Sequence, residues 1–181
     1  MAFDRRNEML YLDASKRVKS VDAINLVDSL THLNGREVTI VGDGAVQASR
    51  TVINGAVSLE TEAFEVAVGL PYTSELQPMR PEIPMRDGTG QFRQVKVSRV
   101  GLTVHDSLGG EIAYSPNGRF EAIDYRQIDD AMDMAVPLKT GNVEILIEAR
   151  TAEGVDIIIR QRDPLPLAVG AIVAKGDIYG E

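Results

Sequence analysis

Three turn dipeptides punctuate the segment from Leu30 to Thr73: Asn34-Gly35, Asp43-Gly44 and Asn54-Gly55. Asn-Gly and Asp-Gly adopt φ > 0 at little cost, which suits tight hairpin turns. Between them apolar residues alternate as Val38/Ile40, Val57/Leu59 and Phe64/Val66/Val68/Leu70. A period of two is that of a half-buried strand, and the turn spacing predicts a small meander or barrel over residues 27–69.

The flanking sequence extends the β pattern. Met9-Leu10-Tyr11-Leu12 reads as a first strand, whereas Ser20 to Leu33 reads as a short helix or a turn. Pro78, Pro81 and Pro84 then fall close together ahead of Asp87-Gly88. They remove backbone donors and disfavour helix, so residues 75–90 read as an extended arm. In Gln91–His105 the apolar positions change parity between Val97 and Val100, which predicts a β-bulge near Ser98-Arg99 or a strand crossing between sheets. Turns follow at Leu108-Gly109-Gly110 and Asn117-Gly118, and Asp124–Met134 has a helical look, with Tyr125, Ile128, Ala131 and Met132 on one face. Val143/Ile145/Ile147 and Val155/Ile157/Ile159 alternate on either side of Thr151–Gly154, which predicts a hairpin. Leu167–Lys175 supplies a last strand. The expected fold class is all-β: a small β-barrel at 27–69 inserted in an antiparallel β-sandwich built from 1–26 and 70–181, with little helix.

Composition narrows the function classes. The chain has 181 residues, no cysteine and no tryptophan. A disulfide framework, a cysteine-based zinc site and a thiol nucleophile are therefore excluded, in keeping with assembly in the cytosol. The net charge of −8 repels DNA phosphates and disfavours groove binding. No apolar run approaches the roughly 18–20 residues of a membrane helix, and a soluble protein without membrane insertion is expected.

Residues with chemical potential do not assemble into a recognisable motif. His105-Asp106 with Ser98 or Ser107 contains the residue types of a triad, but a triad is defined by geometry. His32, just before a turn, reads as structural. Glu121, Asp124, Asp129, Asp130 and Asp133 form an acidic cluster without the glycine and the alternate-position spacing of a calcium loop. Arg86, Arg93, Lys96 and Arg99 make a basic stretch with only Phe92 as an interleaved aromatic, so pairing with the protein's own acids or a neighbouring subunit is expected over single-strand binding. Gly42-Asp43-Gly44 is a turn, and neither phosphate-cradling motif is present. The expectation is a non-enzyme with no catalytic residues, no cofactor and no metal.

Several stretches together resemble the tail-nozzle, or tail tubular protein B, family of short-tailed bacteriophages. They are Val27-Asp28-Ser29-Leu30-Thr31-His32-Leu33-Asn34-Gly35, Val38-Thr39-Ile40-Val41-Gly42-Asp43-Gly44, Val52-Ile53-Asn54-Gly55, Val66–Ser74 and Ile159–Leu167, with Tyr11–Ser15 as the entry strand. The resemblance covers about residues 9–175 and implies a region with a small barrel like the accessory barrel of ubiquitin-activating enzymes. In that family the region ends a longer polypeptide, so a separate small tail component or an excised domain is expected here. The resemblance implies a virion tail protein, assembled in the host cytoplasm into a ring, hexameric in the family, that contacts other tail proteins and passes DNA. Acidic walls would keep the duplex from sticking. Pro78, Pro81, Pro84, Arg86, Arg93, Lys96 and Arg99, with unpaired strand edges, are then the interface candidates. The rival readings are a receptor- or carbohydrate-binding module at the tail tip, which needs an exposed aromatic platform, and a tail-associated hydrolase, which needs carboxylates roughly 5–10 Å apart.

Overall fold

The computed structural model describes residues 11–80, 84–85, 88–89, 94–115, 117–126, 128, 130, 136–147, 152–153 and 156–179. They form fourteen strands and one 3₁₀ turn, and every strand pairing is antiparallel, which makes the protein all-β. The chain divides into two compact units.

The first unit takes in the described residues up to Thr73, with parts of 128–136 and 162–166. Its strands are β1 (Asp13–Val27), β2 (Glu37–Gly42), β3 (Ala45–Thr51) and β4 (Val57–Leu70), in the sheet order β1-β4-β2-β3. Asp43-Gly44 joins β2 to β3 with φ of +47° and +79°, and Asn54-Gly55 joins β3 to β4 with +53° and +72°. Positive φ at both central residues gives the hairpin turn whose twist matches the flanking strands. Asn34-Gly35 does a different job from the one its sequence suggests. Asn34 sits at φ −58°, ψ 132° and Gly35 at φ +75°, and the Arg36 N–H donates to the Leu33 carbonyl at 2.9 Å. That is a type II turn, and it closes the 3₁₀ turn Thr31–Leu33 instead of making a hairpin tip.

Three further expectations about this unit are corrected. Residues 13–26 do not join the sheets formed by residues 70–181, because β1 lies against β4. The stretch from Ser20 to Val27 is strand, not helix, and the only helical element before Asn34 among the described residues is the 3₁₀ turn. Sequence periodicity misses β1 because it is an edge strand with exposed polar side chains on both faces, held by its backbone ladder. Phe64 is also displaced: it faces solvent while Ala63 and Val66 are buried. The cause is Asp43, whose carboxylate accepts the Phe64 and Glu65 backbone N–H at 3.1 and 2.9 Å and locally replaces the ladder. Leu30, Leu33, Val38, Ile40, Val52, Val57, Val66 and Val68 fill the interior.

The second unit takes in the described residues of 74–127, 137–161 and 167–181. Its strands are β5 (Ser74–Leu76), β6 (Pro84–Met85), β7 (Gly88–Thr89), β8 (Gln94–Ser107), β9 (Glu111–Ala113), β10 (Glu121–Ala122), β11 (Lys139–Leu146), β12 (Ala152–Glu153), β13 (Ile158–Gln161) and β14 (Val169–Tyr179). One sheet has the order β10-β9-β13-β5. The other is built on β8, with β11 and β12 along one side and β14 along the other. Val97, Val100, Leu102 and Val104 of β8, Ile112 of β9, and Ile158 and Ile159 of β13 are buried, which gives the unit the apolar interior of a β-sandwich.

The expected bulge on β8 is present. Arg99 faces Lys175 and Val97 faces Gly176, so Ser98 is the extra residue, and the buried positions change parity across it. Gly176 is required there: a Cβ on it would sit 2.2 Å from the Lys96 carbonyl oxygen and 2.7 Å from the Val97 Cα. The expected hairpin of 142–149 with 155–159 does not form. β11 pairs with β8, whereas β13 pairs with β9 and β5 in the other sheet. Both segments alternate because each has one buried face, and alternation does not record which strand lies alongside. Asp124–Arg126 is not helical, and Tyr125 is buried while Ile128 is fully exposed, so the two do not share an apolar face. Gln127, Asp129 and 131–135 lie outside the described residues.

Candidate functional site

The β8 sheet turns a chemically mixed face outward. Past the bulge, Arg99, Gly101 and Thr103 point away from the core, flanked by Leu146, Glu144 and Asn142 on β11 and by Lys175, Val173 and Ala171 on β14. Gly101 has no side chain to intervene, and Glu144 reaches across the central strand to the Lys175 ammonium at 2.9 Å. Arg99 approaches the same carboxylate at 3.6 Å. The hydrogen bond from Lys175 is the main cause that holds the Glu144 carboxyl below its usual value, with the charges of Lys175 and Arg99 adding to it. Leu146 and Val173 flank this bridge, exposed.

The interface candidates fall in different places. Arg99 pairs within the chain, as just described. Lys96 is exposed on β8 with Asp177 as its cross-strand neighbour. Pro78 is half-buried, and Pro84 lies in β6, which forms a two-residue ladder with β7, so the arm contains a small hairpin. Pro81, Arg86 and Arg93 lie outside the described residues. Arg80, not singled out from the sequence, anchors the arm by a two-pronged pair with Asp156 at 2.9 and 3.0 Å. That hydrogen bond, with the guanidinium charge, lowers the Asp156 carboxyl pKa against a burial effect of opposite sign. A fork-to-fork pair of this kind fixes direction as well as distance.

Of the residues weighed for catalysis, His32 and Ser107 lie against backbone groups. The His32 Nε2 lies 2.8 Å from the carbonyl of Ala14, a non-glycine residue held at φ +48° where β1 bulges past Gly69. Ser107 is fully buried; its hydroxyl donates its one proton to the nearer carbonyl, that of His105 at 2.9 Å, with the Ala168 carbonyl at 3.3 Å, and accepts the Ala168 N–H at 2.8 Å. His105 is exposed, with Nε2 3.5 Å from Asp106, and Asp106 in turn exchanges hydrogen bonds with Thr140. Ser98 leans on the Lys175 carbonyl.

No family model matches the sequence, and no curated protein matches it.

In the acidic cluster, Glu121 pairs with Arg119 at 3.4 Å and the Asp124 carboxylate accepts the Arg126 N–H at 2.9 Å. Asp129 and Asp133 lie outside the described residues, and among the described residues no group of three acids or histidines is spaced to hold a metal. No helix among them is long and apolar enough to cross a membrane. The first unit carries an open groove of about 440 Å³ lined by Leu26, Arg50, Thr51, Ile53, Ala56 and Val57. Leu26 and Ile53 stand exposed there. The sequence signal for this groove was the Ile53 side chain beside Asn54-Gly55, an apolar residue at a turn where polar ones are usual.

Proposed function

We propose that the chain is a structural, non-catalytic component of a bacteriophage tail, a nozzle or tail-tube ring subunit that forms part of the DNA-ejection channel by self-assembly. The observation that carries this reading is the long strand edges with no ladder partner among the described residues, above all β1 in the first sheet and β11 beside β8. Such edges template strand addition, which suits a subunit that is completed by its neighbours. The order of the turn motifs along residues 27–74 and 159–167 supports the family resemblance. The engagement of His32 and Ser107 by backbone groups supports a non-catalytic role. With a net charge of −8, a ring of such subunits would present duplex DNA with like charge and a low tendency to adhere. Native mass spectrometry with electron microscopy of the full chain tests the reading. A ring of one defined subunit number, six by the resemblance, is the expected result, and a monomer or a two-chain species alone contradicts it.

A further inference from the structure

We infer that the free edge of β14 is an isologous interface: it pairs antiparallel with β14 of a second copy of this chain, with the two-fold axis at Gly176. β14 runs from Val169 to Tyr179, eleven residues, and its described ladder is to β8 alone. The strand contains no proline, the residue that most simply blocks an edge. The charge of its one lysine, the usual guard of an edge, is offset by Glu144 at 2.9 Å.

The register follows from parity and charge. Val173, Lys175, Asp177 and Tyr179 alternate on the outward face and are all exposed, with Val173 at 52% and Tyr179 at 46%. Opposed residues in an antiparallel pair lie on the same face, so outward faces coincide only when the axis passes through a residue and not between two. An axis at Lys175 or Asp177 sets like charges opposite one another. An axis at Ala174 sets Lys175 against Val173 and Asp177 against Ala171. An axis at Gly176 sets Lys175 against Asp177 and Val173 against Tyr179, each twice, and places the residue without a side chain at the centre. Opposite charges meet, and an aliphatic residue meets an aromatic one, as cross-strand pairs prefer. A two-fold contact closes on itself, so it is distinct from the head-to-tail contacts of a ring and does not depend on the tail reading.

Charge reversal with rescue tests this on the full chain by sedimentation and native mass. D177K sets Lys opposite Lys and K175E sets Glu opposite Asp. Each is expected to weaken the pair at least about tenfold and to halve the wild-type mass: dimer to monomer, or a two-ring stack to a single ring. The double variant K175E/D177K is expected to restore the wild-type mass. Within one chain the swap brings a new carboxylate beside both Glu144 and Arg99 and a new ammonium beside Lys96, so the melts of each variant are compared to separate a change in folding from recovery of mass. A wild-type chain that is monomeric at all concentrations overturns the inference, as does an assembly whose mass D177K leaves unchanged or a double variant that stays at half mass. Circular dichroism melts of each variant show that the outward substitutions leave the monomer folded. A ring that forms in both wild type and D177K at equal mass would retain the tail reading and eliminate the β14 contact.

Discussion

The β1-β4-β2-β3 sheet and the sheet around β8 solve the problem of strand edges in opposite ways. The first is irregular inside and covers its β3 edge with side chains, leaving β1 as its open edge. Its β4 loses the regular ladder around residues 59–62, and there the Gln47 amide stands in for a strand: it donates to the Thr61 carbonyl at 2.9 Å and accepts the Glu60 N–H at 2.9 Å. Asp43 does the same for Phe64 and Glu65. The second sheet keeps a long register with β14, broken at Ser98 and again near Gly170, and side chains stand in for backbone only at its irregular points, where Thr140 accepts the Asp106 N–H and Ser98 reaches the Lys175 carbonyl. Polar side chains that mimic backbone allow a short sheet to curl around one core. A regular ladder leaves its last strand available.

The largest effect should come from Gly176→Ala. The added Cβ would meet backbone atoms that cannot swing away, and a loss of about 3 kcal/mol or more is expected in chemical denaturation. Gly101→Ala in the same sheet is the control: its Cβ would have Val173 no nearer than 3.8 Å, and a change within about 0.5 kcal/mol is expected. Equal losses at both sites would show that the bulge geometry is wrong. Next, Asp43→Ala should cost about 1–2 kcal/mol, since two strand N–H groups lose their acceptor, and Gln47→Ala about 1 kcal/mol. If both were neutral, the side-chain closure of the first sheet would be decorative.

Tyr125 gives a smaller, pH-dependent signal. Burial pushes its phenol up to about 12 from 10.0, and its buried hydroxyl has no hydrogen-bond partner among the described residues. The folded state holds the proton more tightly than the unfolded state. Stability is therefore unaffected below pH 10 and falls as pH rises from about 10 to 12. Tyr125→Phe should remove that alkaline loss and leave stability at pH 7 equal or slightly higher, by less than about 1 kcal/mol. A variant with the same alkaline loss as wild type would place the titrating group elsewhere. The smallest effect belongs to Glu144. Its folded pKa is lowered, so its contribution is present above the usual carboxylate range and disappears as pH falls through the lowered value. Because the bridge is exposed, molar salt should erase the difference between wild type and Glu144→Gln.

How much of this was legible in the sequence differs between the two sheets. Asp43-Gly44 and Asn54-Gly55 announced their turns because positive φ is a local property. The bulge at Ser98 was legible for the same reason, through the change of parity between Val97 and Val100. Partners were not legible. Ile145 and Ile159 alternate equally well whether they pair with each other or, as they do, with different strands. β1 escaped because an exposed edge strand needs no apolar period. The polar roles of Asp43 and Gln47, and the Glu144–Lys175 bridge over Gly101, depend on residues brought together from 13 to 31 positions apart. No local pattern carries that information. Proline and basic charge mark the interface candidates in the sequence, whereas the outward charge arrangement on β14 depends on which of its faces is buried.

Amide hydrogen exchange as a function of protein concentration tests the contrast most directly. The amides of Val173 to Tyr179 should exchange faster in dilute protein and become more protected as concentration rises, while those of β2 and β4 keep the same protection throughout. Protection of β14 that does not change with concentration, or that changes in parallel with β2 and β4, would contradict the account.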